Sequence, residues 1–170
     1  EQVRALLQRG ADPGRASADG QTALGLALQT GRNELANWLR WPLWPLPCRP
    51  LRDADLVDAA RFGDLEATRK LLMLGLDLNG RDAQGCTALL RAAGSGHSAL
   101  VEWLLTEGAD TSLSARTGAT PLSAAVSAGH ETIVTRLIAA GAGVDQNLPG
   151  GITPLMIAAA LGLEPIVRSL

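Results

Sequence analysis

The side chains able to do chemistry are few and scattered: two histidines, His97 and His130, and two cysteines, Cys48 and Cys86. A zinc centre needs three or four ligands converging at bonds of about 2 Å. His97 and His130 lie 33 residues apart. That spacing puts them at equivalent places on neighbouring structural units, about 10 Å apart by helix-packing distance, too far to share one ion. A role bracing the start of a helix suits them better than ligation. The cysteines form no Cys-x-x-Cys pair and fall in different loops. Cys86, beside a turn glycine, has the look of an exposed thiol, but no basic neighbour is there to favour its thiolate. Gly-Asp-Leu-Glu at 63–66, Gly-Arg-Asn-Glu at 31–34 and Gly-His-Ser-Ala at 96–99 superficially resemble phosphate or nucleophile motifs. Each sits between two helices, and neither a Gly-rich strand-to-helix loop nor a Gly-x-Ser-x-Gly elbow is present. The sequence therefore predicts no catalytic residues, no metal and no cofactor.

The elements that position these residues repeat. Gly63, Gly96, Gly129 and Gly162 form a series at 33 residues, as do Gly75, Gly108 and Gly141, and Gly85, Gly118 and Gly151. Thr87, Thr120 and Thr153 form another, and Ala59, Ala92, Ala125 and Ala158 a fifth. Such self-similarity marks a repeat architecture. Within one unit, Gly85 suits a tight turn, Thr87 an N-cap whose hydroxyl accepts from free backbone N–H groups, and Gly96 a left-handed C-cap. A second helix follows from His97, with Leu100, Val101, Leu104 and Leu105 on one face and Gly108 ending it. Two short helices cannot bury their apolar faces alone, so the units must stack.

The segment 118–145, GATPLSAAVSAGHETIVTRLIAAGAGVD, resembles the ankyrin repeat in its Gly-x-Thr-Pro-Leu, Ala-Ala, Gly-His and closing Gly-Ala-x-x-Asp elements. Residues 85–110 and 151–170 resemble it similarly, 20–39 and 53–79 more weakly, and the opening residues are similar to the end of a second helix. The resemblance implies an all-α ankyrin-repeat solenoid of stacked antiparallel helix pairs with finger loops between repeats. It divides the chain into a half-repeat plus one repeat at 1–40, an aberrant Pro/Trp-rich loop at 41–52, and four further repeats at 53–170. The last is truncated, so the chain reads as a fragment of a longer ankyrin-repeat protein. The family usually carries a His just after Thr-Pro-Leu that bridges to the neighbouring repeat. Gly25, Leu90, Ser123 and Met156 stand there instead, so that polar network is absent or replaced. In 41–52, Pro42, Pro45, Pro47 and Pro50 cannot donate backbone hydrogen bonds and rule out an ordinary finger. Either the stack continues through this loop or the loop joins two separate ankyrin blocks.

The net charge of −2 gives no reason to expect nucleic acid, and no apolar run approaches the ~20 residues that span a bilayer. Two cysteines are too few for a disulfide framework and suit a reducing, cytoplasmic setting. The resemblance implies a protein partner of unknown identity and no small-molecule substrate, with contacts on finger tips and the exposed edge of first helices. Carried over by position, the candidate partner-binding residues are Gln29, Phe62, Arg81, Gln84, Ser95, Ser114, Arg116 and Thr117. Trp41 and Trp44 in the proline loop either pack back on the solenoid or meet the partner, whereas Trp38 and Trp103 cover seams between repeats. Two functions fit: an interaction scaffold, or a regulatory or substrate-docking segment of a larger enzyme or effector whose catalytic domain lies outside this chain.

Overall fold

The computed structural model describes residues 2–41 and 45–170. Its described residues form a leading helix, α1 (Gln2–Gln8), and five antiparallel helix pairs. The pairs are α2 (Ala23–Gln29) with α3 (Asn33–Leu39), α4 (Asp53–Arg61) with α5 (Leu65–Met73), and α6 (Ala88–Gly94) with α7 (Ser98–Thr106). They continue as α8 (Pro121–Ser127) with α9 (Glu131–Ala139), and α10 (Pro154–Ala160) with α11 (Glu164–Ser169). None of the described helices is long and apolar enough to cross a membrane.

Local chemistry fixes each unit. The hydroxyls of Thr22, Thr87, Thr120 and Thr153 accept from the amides of Gly25, Leu90, Ser123 and Met156 at 3.0, 3.3, 3.1 and 3.2 Å, satisfying first-turn donors. Pro121 and Pro154 stand in the first turn, where the missing N–H costs nothing. Four connecting fingers are closed by one equivalent backbone bond each: Ser17 to Gln21, Asp82 to Cys86, Ala115 to Ala119, and Leu148 to Ile152.

Stacking does the rest. The first helices form a row, α4 against α6, α6 against α8, and α8 against α10. Ala59, Ala92, Ala125 and Ala158 are all fully buried, so the row depends on side chains no larger than a methyl at this register. Leu71, Leu104 and Leu137 repeat the pattern on the second helices. Seams between second helices are covered by paired side chains. The Arg4 guanidinium lies 4.4 Å from the Trp38 ring centre and Arg69 lies 5.4 Å from that of Trp103, the same relation in two places. At the next seam Arg136 pairs with Glu102.

The α2–α3 pair stands apart from this row. Its small core consists of Ala27, Ala36 and Leu39 with Val3, Leu24 and Leu35. Leu28, at the register of buried Ala60, Ala93 and Val126, is 48% exposed. The start of the row is covered instead by Trp41, Leu46 and Leu51, which pack against the main core. The finger bond of the other connections has no counterpart among residues 45–52. The Leu51 amide donates across to the Gln8 carbonyl at 2.9 Å. Arg49 reaches the buried Asp55 carboxylate at 2.6 Å, and the Arg52 amide donates to the same carboxylate at 2.8 Å, so Asp55 in the first turn of α4 holds the N-cap residue where the other first helices start on a threonine. Gly10 is required here, because a Cβ would stand 2.3 Å from the Arg49 backbone. The Lys70 ammonium donates to the Arg40 carbonyl and lies 5.1 Å from the Trp41 ring centre, and burial pulls its pKa down. Leu7 on α1 and Ile166 on α11 are both buried at 2%, whereas Leu6 and Val167 are exposed.

Candidate protein-binding surface

The end of α4 is braced by the repeat that follows it. Gly63 turns the chain at φ +72°, and the His97 imidazole of the next repeat lies against it. His97 Nε2 bonds the Arg61 carbonyl at 3.0 Å, tying one repeat to its neighbour. The His130 ring stands over Gly96 in the same manner, so the two histidines brace seams. On this braced turn Phe62 is 54% exposed, with the Arg61 guanidinium 5.4 Å from its ring centre.

The fingers are held as firmly. Asp82 accepts from the Gln84 and Cys86 amides at 2.8 and 2.9 Å and from Arg91 at 2.7 Å. Burial alone would raise the Asp82 pKa; Arg91 and the two amides outweigh it and hold the carboxyl below its ordinary value. Arg91 also donates to the Gln84 side chain. Adjacent fingers are joined by the Arg116 amide donating to the Gln84 carbonyl at 2.9 Å and by Arg81 Nη1 donating to the Ser114 carbonyl at 3.1 Å.

Seven of the sequence-predicted residues thus fall on consecutive stacked repeats. Phe62 and Ser95 close neighbouring first helices; Arg81, Gln84, Arg116 and Thr117 stand exposed on fingers, with Ser114 half-buried between them. Gln29 is exposed at the end of α2, outside the row. Trp41 is half-buried against the core, and Trp44 lies outside the described residues.

Two features escaped the sequence reading. A cavity of about 360 Å³ opens under the fingers, lined by Arg61, Gln84, Leu90, Arg91 and Thr117 among others. Arg91 does not stand out in the repeat pattern, whose register otherwise holds Asp58, Ala124 and Ile157. Cys86, read as a finger residue with an exposed thiol, is buried at 6%, and burial pushes that thiol's pKa up. It packs with Val57, Leu90 and Ala115, an apolar cluster standing where the family's bridging histidine would be polar. One repeat further on, the Ser123 hydroxyl and the Thr120 amide and hydroxyl form a reciprocal cap instead. The missing network is replaced, differently in the two repeats. A maleimide reagent is therefore expected to label Cys48, which is exposed, at once and Cys86 only as the protein unfolds. Equal labelling rates, followed by mass spectrometry, would contradict this burial.

Among the described residues no group of three or more His, Cys, Asp or Glu side chains is arranged to hold a metal ion. Comparison with known proteins agrees with the architecture. The family described as ankyrin repeats (three copies) matches residues 56–148 and 96–170. Two ankyrin repeat proteins of Rickettsia felis are each 49% identical over 47 residues, 28% of this chain and 75% and 71% of their own lengths. The chain belongs to the ankyrin-repeat family, whose repeats generally mediate protein–protein interaction.

Proposed function

We propose that this chain is a protein-interaction scaffold and binds a partner protein on the face made by the exposed ends of the first helices and the finger tips. The observation that supports the reading is Phe62. A large apolar side chain is 54% exposed on a backbone locked by Gly63 and His97, among finger residues already fixed by Asp82 and Arg91. Preorganised apolar anchors of this kind carry most of the energy in protein interfaces, because little ordering remains to be done on binding. The reading includes a reducing compartment such as the cytoplasm, where Cys48 and Cys86 stay as thiols. It includes neither a reaction nor a small-molecule substrate. With the intact chain as bait, Phe62→Ala is expected to weaken partner capture about tenfold and Arg116→Ala by a factor of a few. Capture indifferent to both substitutions would sink the reading.

A further inference from the structure

Exposed arginines gather on this face. The protein carries a net charge of −2, yet Arg61, Arg81 and Arg116 are exposed together on it. Among the described residues none of the three makes an ion pair. Three acidic groups share this region, and one of them is held in an ion pair. Asp82 is bound to Arg91, and Asp58 lies within the electrostatic reach of Arg49 and Arg91. Arg81 shares the field of Asp110. Arg61, at the lip of the cavity under the fingers with Asp58 one turn before it on α4, and Arg116, beside Thr117 at the next finger tip, are exposed cations held in no ion pair among the described residues.

The cavity itself is two-sided. Leu90, Cys86, Ala115 and Ala119 supply apolar walls; Arg61, Gln84 and Thr117 supply donors at its mouth. Methylenes inside with an anion at the rim would match both halves. Phe62 beside it offers an apolar flank. Farther along the row the corresponding positions are small, Ser95 and Ala128, until Leu161, which is 55% exposed. At about 10 Å per repeat, Phe62 and Leu161 stand roughly 30 Å apart, the span of about nine residues in an extended strand.

We propose that the partner presents an extended acidic segment to this face, with a glutamate side chain entering the cavity beside Arg61 and apolar residues meeting Phe62 and Leu161. This rests on the scaffold reading above and names the chemistry of its partner. The test selects binders of the intact chain from a random twelve-residue peptide display library. Selected peptides are then made synthetically and titrated by fluorescence anisotropy at low and high salt. Enrichment of Asp and Glu, with flanking aromatic or aliphatic residues, is expected. Affinity should fall as salt rises, because exposed charges are screened within about 10 Å at 0.1 M. The double reversal Arg61→Glu/Arg116→Glu is expected to weaken binding tenfold or more. Arg15→Glu/Arg168→Glu, equal in charge and outside the α4–α8 repeats that line the cavity, should leave it unchanged, with thermal melting checking that every variant folds. Neutral or basic peptides that still require Phe62 would overturn the acidic segment and leave the scaffold face standing. Binding insensitive to Phe62→Ala and to the reversal would overturn both. Failure to enrich any peptide would also overturn the proposal, since a linear segment is what it requires.

Discussion

Leu122→Ala is expected to destabilise the protein by about 2–5 kcal/mol, the range for truncating a buried leucine, while Leu155→Ala costs about 1 kcal/mol or less. Both residues hold the same register of a first helix, 33 positions apart. They differ in surroundings: Leu122 is 1% exposed between stacked neighbours, and Leu155 is 46% exposed. Emptying the first position leaves a void that α6 and α10 can fill only partly, so cavity loss adds to the lost transfer energy. Emptying the second removes surface that water already touches. Typical domains are stable by about 5–15 kcal/mol, so the first substitution consumes a large part of the total. Urea unfolding followed by circular dichroism reads both. Equal midpoints for the two variants would mean that α8 is not packed as described.

Gly63→Ala is expected to cost about 2–4 kcal/mol, against about 1 kcal/mol for Gly162→Ala. Both glycines have left-handed backbones, φ +72° and +68°, so the conformational penalty is shared. The difference is steric. A Cβ on Gly63 would stand 2.6 Å from the His97 ring, whereas one on Gly162 meets nothing within 4 Å. His97→Ala alone loses the bond to the Arg61 carbonyl, about 1 kcal/mol. Because that substitution vacates the space the new methyl needs, the double variant Gly63→Ala/His97→Ala should be more stable than the sum of the two predicts, by about 1 kcal/mol. Strict additivity in a double-mutant cycle would show that the imidazole does not lie on this glycine.

The repeat was legible because it rests on local rules applied several times over. Gly63, Gly96 and Thr87 hold their places through backbone sign and capping, and such requirements recur wherever the unit recurs. The histidines were legible for the same reason: their equivalent spacing excluded ligation and pointed to bracing. What the sequence hid depends on single events. Asp55 as a buried carboxylate tied to Arg49 has no counterpart at its register, since Ala88 and Pro121 stand there. Cys86 sits on a finger, where position alone suggests exposure, but the next finger closes over it through Ala115. Arg91 lines the cavity, yet its place on α6 reads as an ordinary solvent-facing site until Asp82 folds back to meet it. The exposed finger residues were named by family position, and nothing in their types distinguishes a contact from a bystander.

Trp41, Leu46 and Leu51 have a consequence for how order spreads along the chain. In a quasi-one-dimensional array, cooperativity passes only through interfaces between neighbours. From α4 to α10 those interfaces are continuous helix-to-helix packing, so the loss of one repeat is transmitted to the next. At the proline loop the transmission changes character. Among the described residues, Trp41, Leu46, Leu51 and a few hydrogen bonds stand where a packed helix would. Such a junction is a weak link for propagation. Fraying that begins in α1–α3 is therefore expected to pass poorly into the regular row that starts at α4.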